Sequence, residues 1–339
     1  MDQKRGALTC LFVLLIVGPA LSQGRRAVIV QTNAAGDNIH LIDPGTNKVT
    51  GEITGIEVNH GVAAAPDGSR FYVTNEAEHR LDVVDGRTLK VSHHVPLSGR
   101  PNNLAVGRDG RRVYVAIIQA PGAVDVIDTA TLKLTKTIQT RGGIHNTFTT
   151  PDGKHVIAGS IAGRNLTVID SETDEPIWSL FFTNGVRPIG FETNTDGTTR
   201  RMFVQISDFH GFYIVDFASR REIGRVNLPE LPKEQQNWDT LQGSPSHGIG
   251  VTPDGKTLWV CSKVNHAVYA YSMPDLKLLG GVSVGHHPDW LTFTPDSKFV
   301  YVANAGSNSV SVIDVAARKE ITRVPVGQVP KRNITAMMP

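Results

Sequence analysis

Three of the 12 histidines in this 339-residue chain fall at one fixed distance from a recurring turn. The turn reads Pro66-Asp67-Gly68, Arg108-Asp109-Gly110, Pro151-Asp152-Gly153, Thr195-Asp196-Gly197, Pro253-Asp254-Gly255 and Pro295-Asp296-Ser297. Seven residues before each aspartate stand His60, Asn102, His145, Ile189, His247 and Asp289. Lys331 is the rough equivalent near the C-terminus, and His287 and Trp290 flank Asp289. Imidazoles and a carboxylate converging on one axis can hold a divalent metal, with His60, His145 and His247 as its candidate ligands. A second set of histidines follows the turn: His79 and His266 twelve residues after the aspartate, and His210 fourteen after. No Gly-x-Ser-x-Gly elbow, P-loop, His-Glu-x-x-His or Cys-x-x-Cys-His motif is present, so no catalytic residue is assigned from motifs.

The elements that must position these residues are strands. The turn aspartates lie 42, 43, 44, 58 and 42 residues apart. Turns are followed by runs such as Phe71-Tyr72-Val73-Thr74-Asn75 and Val300-Tyr301-Val302-Ala303-Asn304. Alternating runs ending in aspartate come next, such as Leu81 to Asp85 and Val310 to Asp314. Period-2 alternation with β-branched residues argues for strands, and no helix of ten residues is evident. Four short strands per 40-odd residues is the signature of a propeller blade. The N-terminal Ala27-to-Asn33 run lacks an innermost strand, and the C-terminal Asn333-to-Met338 run lacks a blade to follow it. Each fragment completes the other. The expectation is an all-β, seven-bladed β-propeller over residues 23–339, with four antiparallel strands per blade and one blade closed by both terminal segments. In that geometry the loops entering the innermost strands and those after the second strands share one face. His60, His79, His145, His210, His247, His266 and His287 then gather around one channel mouth. The long 58-residue interval places its excess mainly at Leu228 to Ser246, whose Trp238 is expected to pack there as a lid.

Composition narrows the partners. A formal charge of +2 argues against nucleic-acid binding, which needs clustered basic charge. Lys4 and Arg5, an apolar run from Ala7 to Val17, and Ala20-Leu21-Ser22 have the layout of a signal peptide over residues 1–22. Retention of that segment as an anchor is the alternative. No other run is apolar enough to span a bilayer. The expected location is periplasmic or extracellular. Cys10 would leave with the signal, so Cys261 has no disulfide partner and reads as a small buried hydrophobe. A monomer is expected.

Tyr72-Val73-Thr74-Asn75, with Tyr301-Val302-Ala303-Asn304 and Ser309 to Asp314, resembles the YVTN-repeat β-propeller family over nearly the whole mature chain. The resemblance implies an exported bacterial or archaeal propeller, distantly related to the haem domain of nitrite reductases and to lactonases. Ser246-His247-Gly248-Ile249 with Pro253-Asp254-Gly255 and Trp259 looks like the repeat of streptogramin lyase-type propellers, although Ser246 replaces their proline and no matching His–Glu pair is evident. The expected function is a non-catalytic scaffold that binds a protein, polysaccharide or small molecule at the His-rich mouth. The alternatives are a metal-dependent lyase or lactonase-like enzyme, or a haem-associated electron-transfer propeller, on the same face. Asn102, Lys331, Trp238 and Trp290 are expected to line that face.

Overall fold

The computed structural model describes residues 24–238 and 243–339, so the segment expected to be a signal, with Cys10, lies outside the described residues. The alternating runs form seven four-stranded antiparallel sheets. The innermost strands are Asn59–Ala64, Pro101–Val106, Ile144–Thr149, Val186–Thr193, Ser246–Val251, Pro288–Phe293 and Pro330–Met338. The last of these pairs antiparallel with Arg26–Asn33, Gln31 facing Asn333 and Arg26 facing Met338. The tail of the chain therefore supplies the inner strand of the blade that the head begins, and the N-terminal strand is paired on both sides instead of standing as an edge. Among the described residues the one helical element is a single 3₁₀ turn, Lys233–Gln235.

Second strands are the most buried because both their faces meet a neighbouring blade. Phe71 to Asn75 are all buried, as are Val300 to Asn304. Cores lie between blades rather than within them. One packs Val28, Val30 and Met338 of the closing blade on Val62, Phe71 and Val73 of the next. Another packs Ile29 and Ile42 on Tyr301, Val310 and Val312, sealing the circle from the other side. Each fully buried aliphatic side chain contributes about 1.5–3 kcal/mol. Cys261 is a buried, unpaired member of such a core, and burial pushes its thiol well up.

The Tyr-Val-Thr-Asn string has a job at each residue. The Tyr301 hydroxyl donates to Asn47 Oδ1 across the closure at 2.5 Å, and Tyr114 donates to Asp174 of the following blade at 2.9 Å. Val73 fills the core. Thr74 donates to the Asn102 carbonyl of the adjacent innermost strand at 2.6 Å. Asn75 caps the following turn by accepting the Glu78 N–H at 2.9 Å. Strand-ending aspartates cap the next hairpin: Asp85 accepts the Thr88 N–H at 2.7 Å, and that bond holds its carboxyl below the usual range. The turn glycine is required at Gly68, where φ is +74° and a Cβ would run into the Met337 carbonyl.

Candidate functional site

The second residue of each innermost strand stands at one end of the channel. These residues are His60, Asn102, His145, Arg187, His247, Asp289 and Lys331. Six match the sequence expectation and one corrects it: Arg187, not Ile189, occupies the place in the fifth blade. The hairpin there is longer. Ile189 pairs with Val204 as Val62 pairs with Val73, but pairing continues to Thr193 opposite Thr199 before the turn. Counting back from the turn therefore lands two residues late.

Three further side chains enter the site from positions that the repeat analysis did not select. Glu76 and Lys263 each follow a second strand, and Arg332 is the residue after Lys331. Asp289 is the hub. Lys263 Nζ lies 2.5 Å from its Oδ1, Lys331 Nζ 3.9 Å from the same oxygen, and Arg332 Nη1 3.8 Å from Oδ2. Burial alone would raise the Asp289 carboxyl. Lys263 foremost, then Lys331 and Arg332, hold it well below the carboxylate range, so it is ionised. Arg332 is only 1% exposed, its guanidinium 3.9 Å over the Trp290 ring. Burial brings its pKa down to about 10. Arg187 donates to Ser207 Oγ at 2.9 Å and feels both Asp289 and Asp208. Inside the mouth four cations, Arg187, Lys263, Lys331 and Arg332, thus face two carboxylates, Asp289 and Glu76. The exposed Asp208 stands at the rim.

This field decides the state of the histidines. Burial lowers the pKa of His60, His145 and His247, and Arg332 lowers each further. All three are neutral imidazoles at pH 7, and their partners set the tautomers. His247 Nδ1 donates to the Asp289 carbonyl at 2.8 Å, so its Nε2 is an acceptor. His60 Nδ1 donates to the Glu76 carboxylate, so its Nε2 is also an acceptor. Asn102 steadies that carboxylate from 3.3 Å. Asn146 accepts from Asn103 Nδ2 at 3.1 Å and Arg332 Nη2 at 3.0 Å, which turns its own amide nitrogen toward His145 Nδ1 at 2.5 Å. His145 therefore carries its proton on Nε2. The mouth offers two imidazole acceptors and one donor among fixed positive charges.

That donor set does not fit the expected divalent metal. Three ligand nitrogens would have to converge to about 2 Å of one ion. His145 and His247 are instead edge to face with ring centroids 6.0 Å apart, and His145 Nε2 holds a proton. The guanidinium of Arg332 acts on all three rings. Among the described residues no three His, Cys, Asp or Glu side chains are placed to hold an ion.

The remaining candidates sit in the surrounding hairpin turns. His79 and His266 have φ of 52° and 48°, in register with Asp37, Arg164 and Asn308, which are also left-handed. His287, at φ 49°, is the last loop residue before the innermost strand Pro288–Phe293. These are positions where the backbone favours Asn, Asp or His over other side chains. His266 stacks on His286 at 4.6 Å and lies 5.3 Å from His287. His210 Nε2 meets Ser262 Oγ at 2.7 Å, and burial lowers its pKa to about 4. The insertion is anchored beside them through Asn265 Nδ2 to Pro229 O at 2.8 Å and Asn237 N to Val264 O at 2.9 Å. Trp238 does not pack as expected: it is 56% exposed, its ring 6.5 Å from that of His210.

Fold and mouth together define a seven-bladed propeller with a buried polar site at one end of its channel. A family model described as Lactonase, 7-bladed beta-propeller, matches residues 228–327. No curated protein matches the chain. Among solved structures, hydrazine synthase of Kuenenia stuttgartiensis is 23% identical, with a TM-score of 0.73 covering 85% of this chain and 92% of that one. The periplasmic gluconolactonase of Pseudomonas aeruginosa is 19% identical, with a TM-score of 0.73 covering 92% and 100%. A dihydro-haem d1 dehydrogenase is 16% identical, with a TM-score of 0.65 covering 87% of this chain and 63% of that one. At these identities the likeness is one of fold.

Proposed function

We propose that this chain is an exported propeller whose polar mouth receives a small, hydroxyl-rich anion of the aldonate class. The observation that carries the reading is the sign of the charge gathered at the mouth: four cations around Asp289 and Glu76. A carboxylate entering the mouth meets Lys331 and Arg332, while the neutral imidazoles of His60, His145 and His247 suit hydroxyl groups, which both give and take hydrogen bonds. Calorimetric titration with gluconate and with sorbitol at pH 7 tests this. Gluconate is expected to bind at least about tenfold more tightly, the equivalent of 1.4 kcal/mol. Equal binding of the two, or binding of neither, overturns the reading.

A second reading is favoured by the His60–Glu76 pair and by the lactonase family match over residues 228–327. A neutral imidazole whose far nitrogen is held by a carboxylate is the arrangement of a general base. In this reading His60 Nε2 takes a proton from water as its oxygen adds to a lactone carbonyl. Arg332 stabilises the oxyanion, and the ring oxygen leaves with the proton to give the open hydroxy acid. Hydrolysis of glucono-1,5-lactone above the spontaneous rate is the assay. Glu76→Gln is expected to lower it about 100-fold. No rate above background in the parent protein leaves binding as the whole function.

A further inference from the structure

The far halves of the same innermost strands enclose a second cavity, of about 450 Å³, at the end of the channel away from the polar mouth. Its walls are apolar: Val62, Phe148, Phe191, Val251 and Ile334 line it, with Trp290 at its inner end. Phe148 and Trp290 stack nearly parallel, 6.4 Å between centroids. Phe148, Phe191, Val251 and Ile334 are half-buried, so solvent reaches the cavity. The polar side chains in its wall are occupied elsewhere. Thr147 donates to the Tyr114 carbonyl at 2.8 Å, Thr149 to the Val106 carbonyl at 2.9 Å, and Asn103 to Asn146 at 3.1 Å.

Arg332 is the exception, and it is the charged residue of the lining. Its Nη2 is bonded to Asn146, but Nε and Nη1 have no hydrogen-bond partner. The Asp289 oxygen at 3.8 Å from Nη1 balances charge without making a hydrogen bond. A buried guanidinium with two unpartnered nitrogens is costly unless an acceptor arrives. An apolar chamber ending on such a cation has the chemistry of a site for one kind of molecule.

We propose that this cavity binds a small amphiphilic carboxylate, its apolar body between Phe148, Phe191 and Val251 and its carboxylate on Arg332. The volume lies within the usual range for small-molecule sites and suits a two-ring aromatic or a medium-length acyl body. The proposal is separate from the aldonate reading, although Arg332 takes part in both.

The test is a titration of the whole protein with 2-naphthoate, and with 2-naphthol as its neutral counterpart, followed by calorimetry and tryptophan fluorescence. Naphthoate is expected to bind at least about tenfold more tightly than naphthol, a difference Arg332→Met removes. Val251→Trp fills the chamber from its rim and is expected to weaken naphthoate at least tenfold while leaving gluconate binding unchanged. Ile334→Phe does the same from another wall if the first variant fails to fold. The proposal is overturned if naphthoate binds no better than naphthol, or if both folded variants retain parent affinity. It is also overturned if gluconate displaces naphthoate while Val251→Trp has no effect, because the ligand then sits in the polar mouth. Naphthoate binding without gluconate binding would overturn the aldonate reading alone.

Discussion

The two ends of the central channel are built by the same seven strands and share almost no chemistry. At the polar end the equivalent position holds histidine, asparagine, arginine, aspartate or lysine, a different environment in nearly every blade. At the other end the strands contribute aliphatic and aromatic side chains and then enter a turn that is nearly the same in six of the seven blades. A repeat keeps what every blade must do for folding and diverges where the blades converge on something outside themselves. The turns themselves serve the fold, and the polar end carries most of the blade-by-blade difference in chemistry.

The largest expected effect comes from taking away the hub of the polar end. Asp289→Asn keeps the shape but leaves the buried Lys263 and Arg332, and the half-buried Lys331, without their carboxylate. The expected loss is about 3–5 kcal/mol in denaturant unfolding at pH 7. Phe191→Leu, which thins the wall of the apolar end, should cost only about 1 kcal/mol. The sign with pH follows from the depressed folded pKa of Asp289. Its contribution is complete above the unfolded aspartate value near 3.9 and is lost as pH falls through the lower folded value, so the gap between parent and variant should persist from pH 7 to 5 and close below about pH 4. A loss equal to that of Phe191→Leu would mean that the two ends differ in composition but not in energetic weight.

The next effect is smaller and concerns protons. Folding lowers the pKa of His145 and His247, by burial first; Arg332 comes next at His145, while at His247 Lys263 and then Arg332 add to burial against the opposing pull of Asp289. The unfolded chain takes up these protons below about pH 6.5 and the folded chain does not, so the neutral form favours folding above that pH and the advantage fades as pH falls. The facing groups are Arg332, Arg187, Lys263, Asp289 and His60. Between pH 7 and pH 5 the parent should lose about 1–2 kcal/mol per histidine relative to His145→Gln with His247→Gln. Parallel stability curves for parent and double variant would show that these imidazoles are charged or solvated.

Much of this was legible without coordinates, and the gaps have physical causes. Strands, blade count and closure were readable because they rest on alternation in all seven blades and on local turn chemistry repeated in six. The ring of His60, Asn102, His145, His247, Asp289 and Lys331 was readable because register is copied with the repeat. Arg187 was missed because the fifth hairpin is two residues longer before its turn. Glu76 and Lys263 were within reach: each stands nine residues after its turn aspartate, at one shared position that holds opposite charges in two blades. Arg332 left no such trace. Its importance depends on a buried guanidinium meeting Trp290 and Asp289 of one blade and Asn146 of another, contacts that no local pattern brings together.

The smallest expected effect separates the channel ring from the histidines outside it. His79 has φ 52° and is exposed, while Asn308 occupies the same turn position in another blade with φ 48°. If that turn is all His79 serves, His79→Asn should change stability by less than about 0.5 kcal/mol and leave gluconate affinity where it was. His79→Val puts a β-branched side chain into the left-handed region and should cost about 1–2 kcal/mol, again with affinity unchanged. The pair of variants distinguishes backbone from ligand, since a residue that touches the anion loses affinity in both while a turn residue loses stability in only one. An affinity loss in His79→Asn would extend the polar end outward to the hairpin turns, and the boundary drawn here between ring and rim would have to move with it.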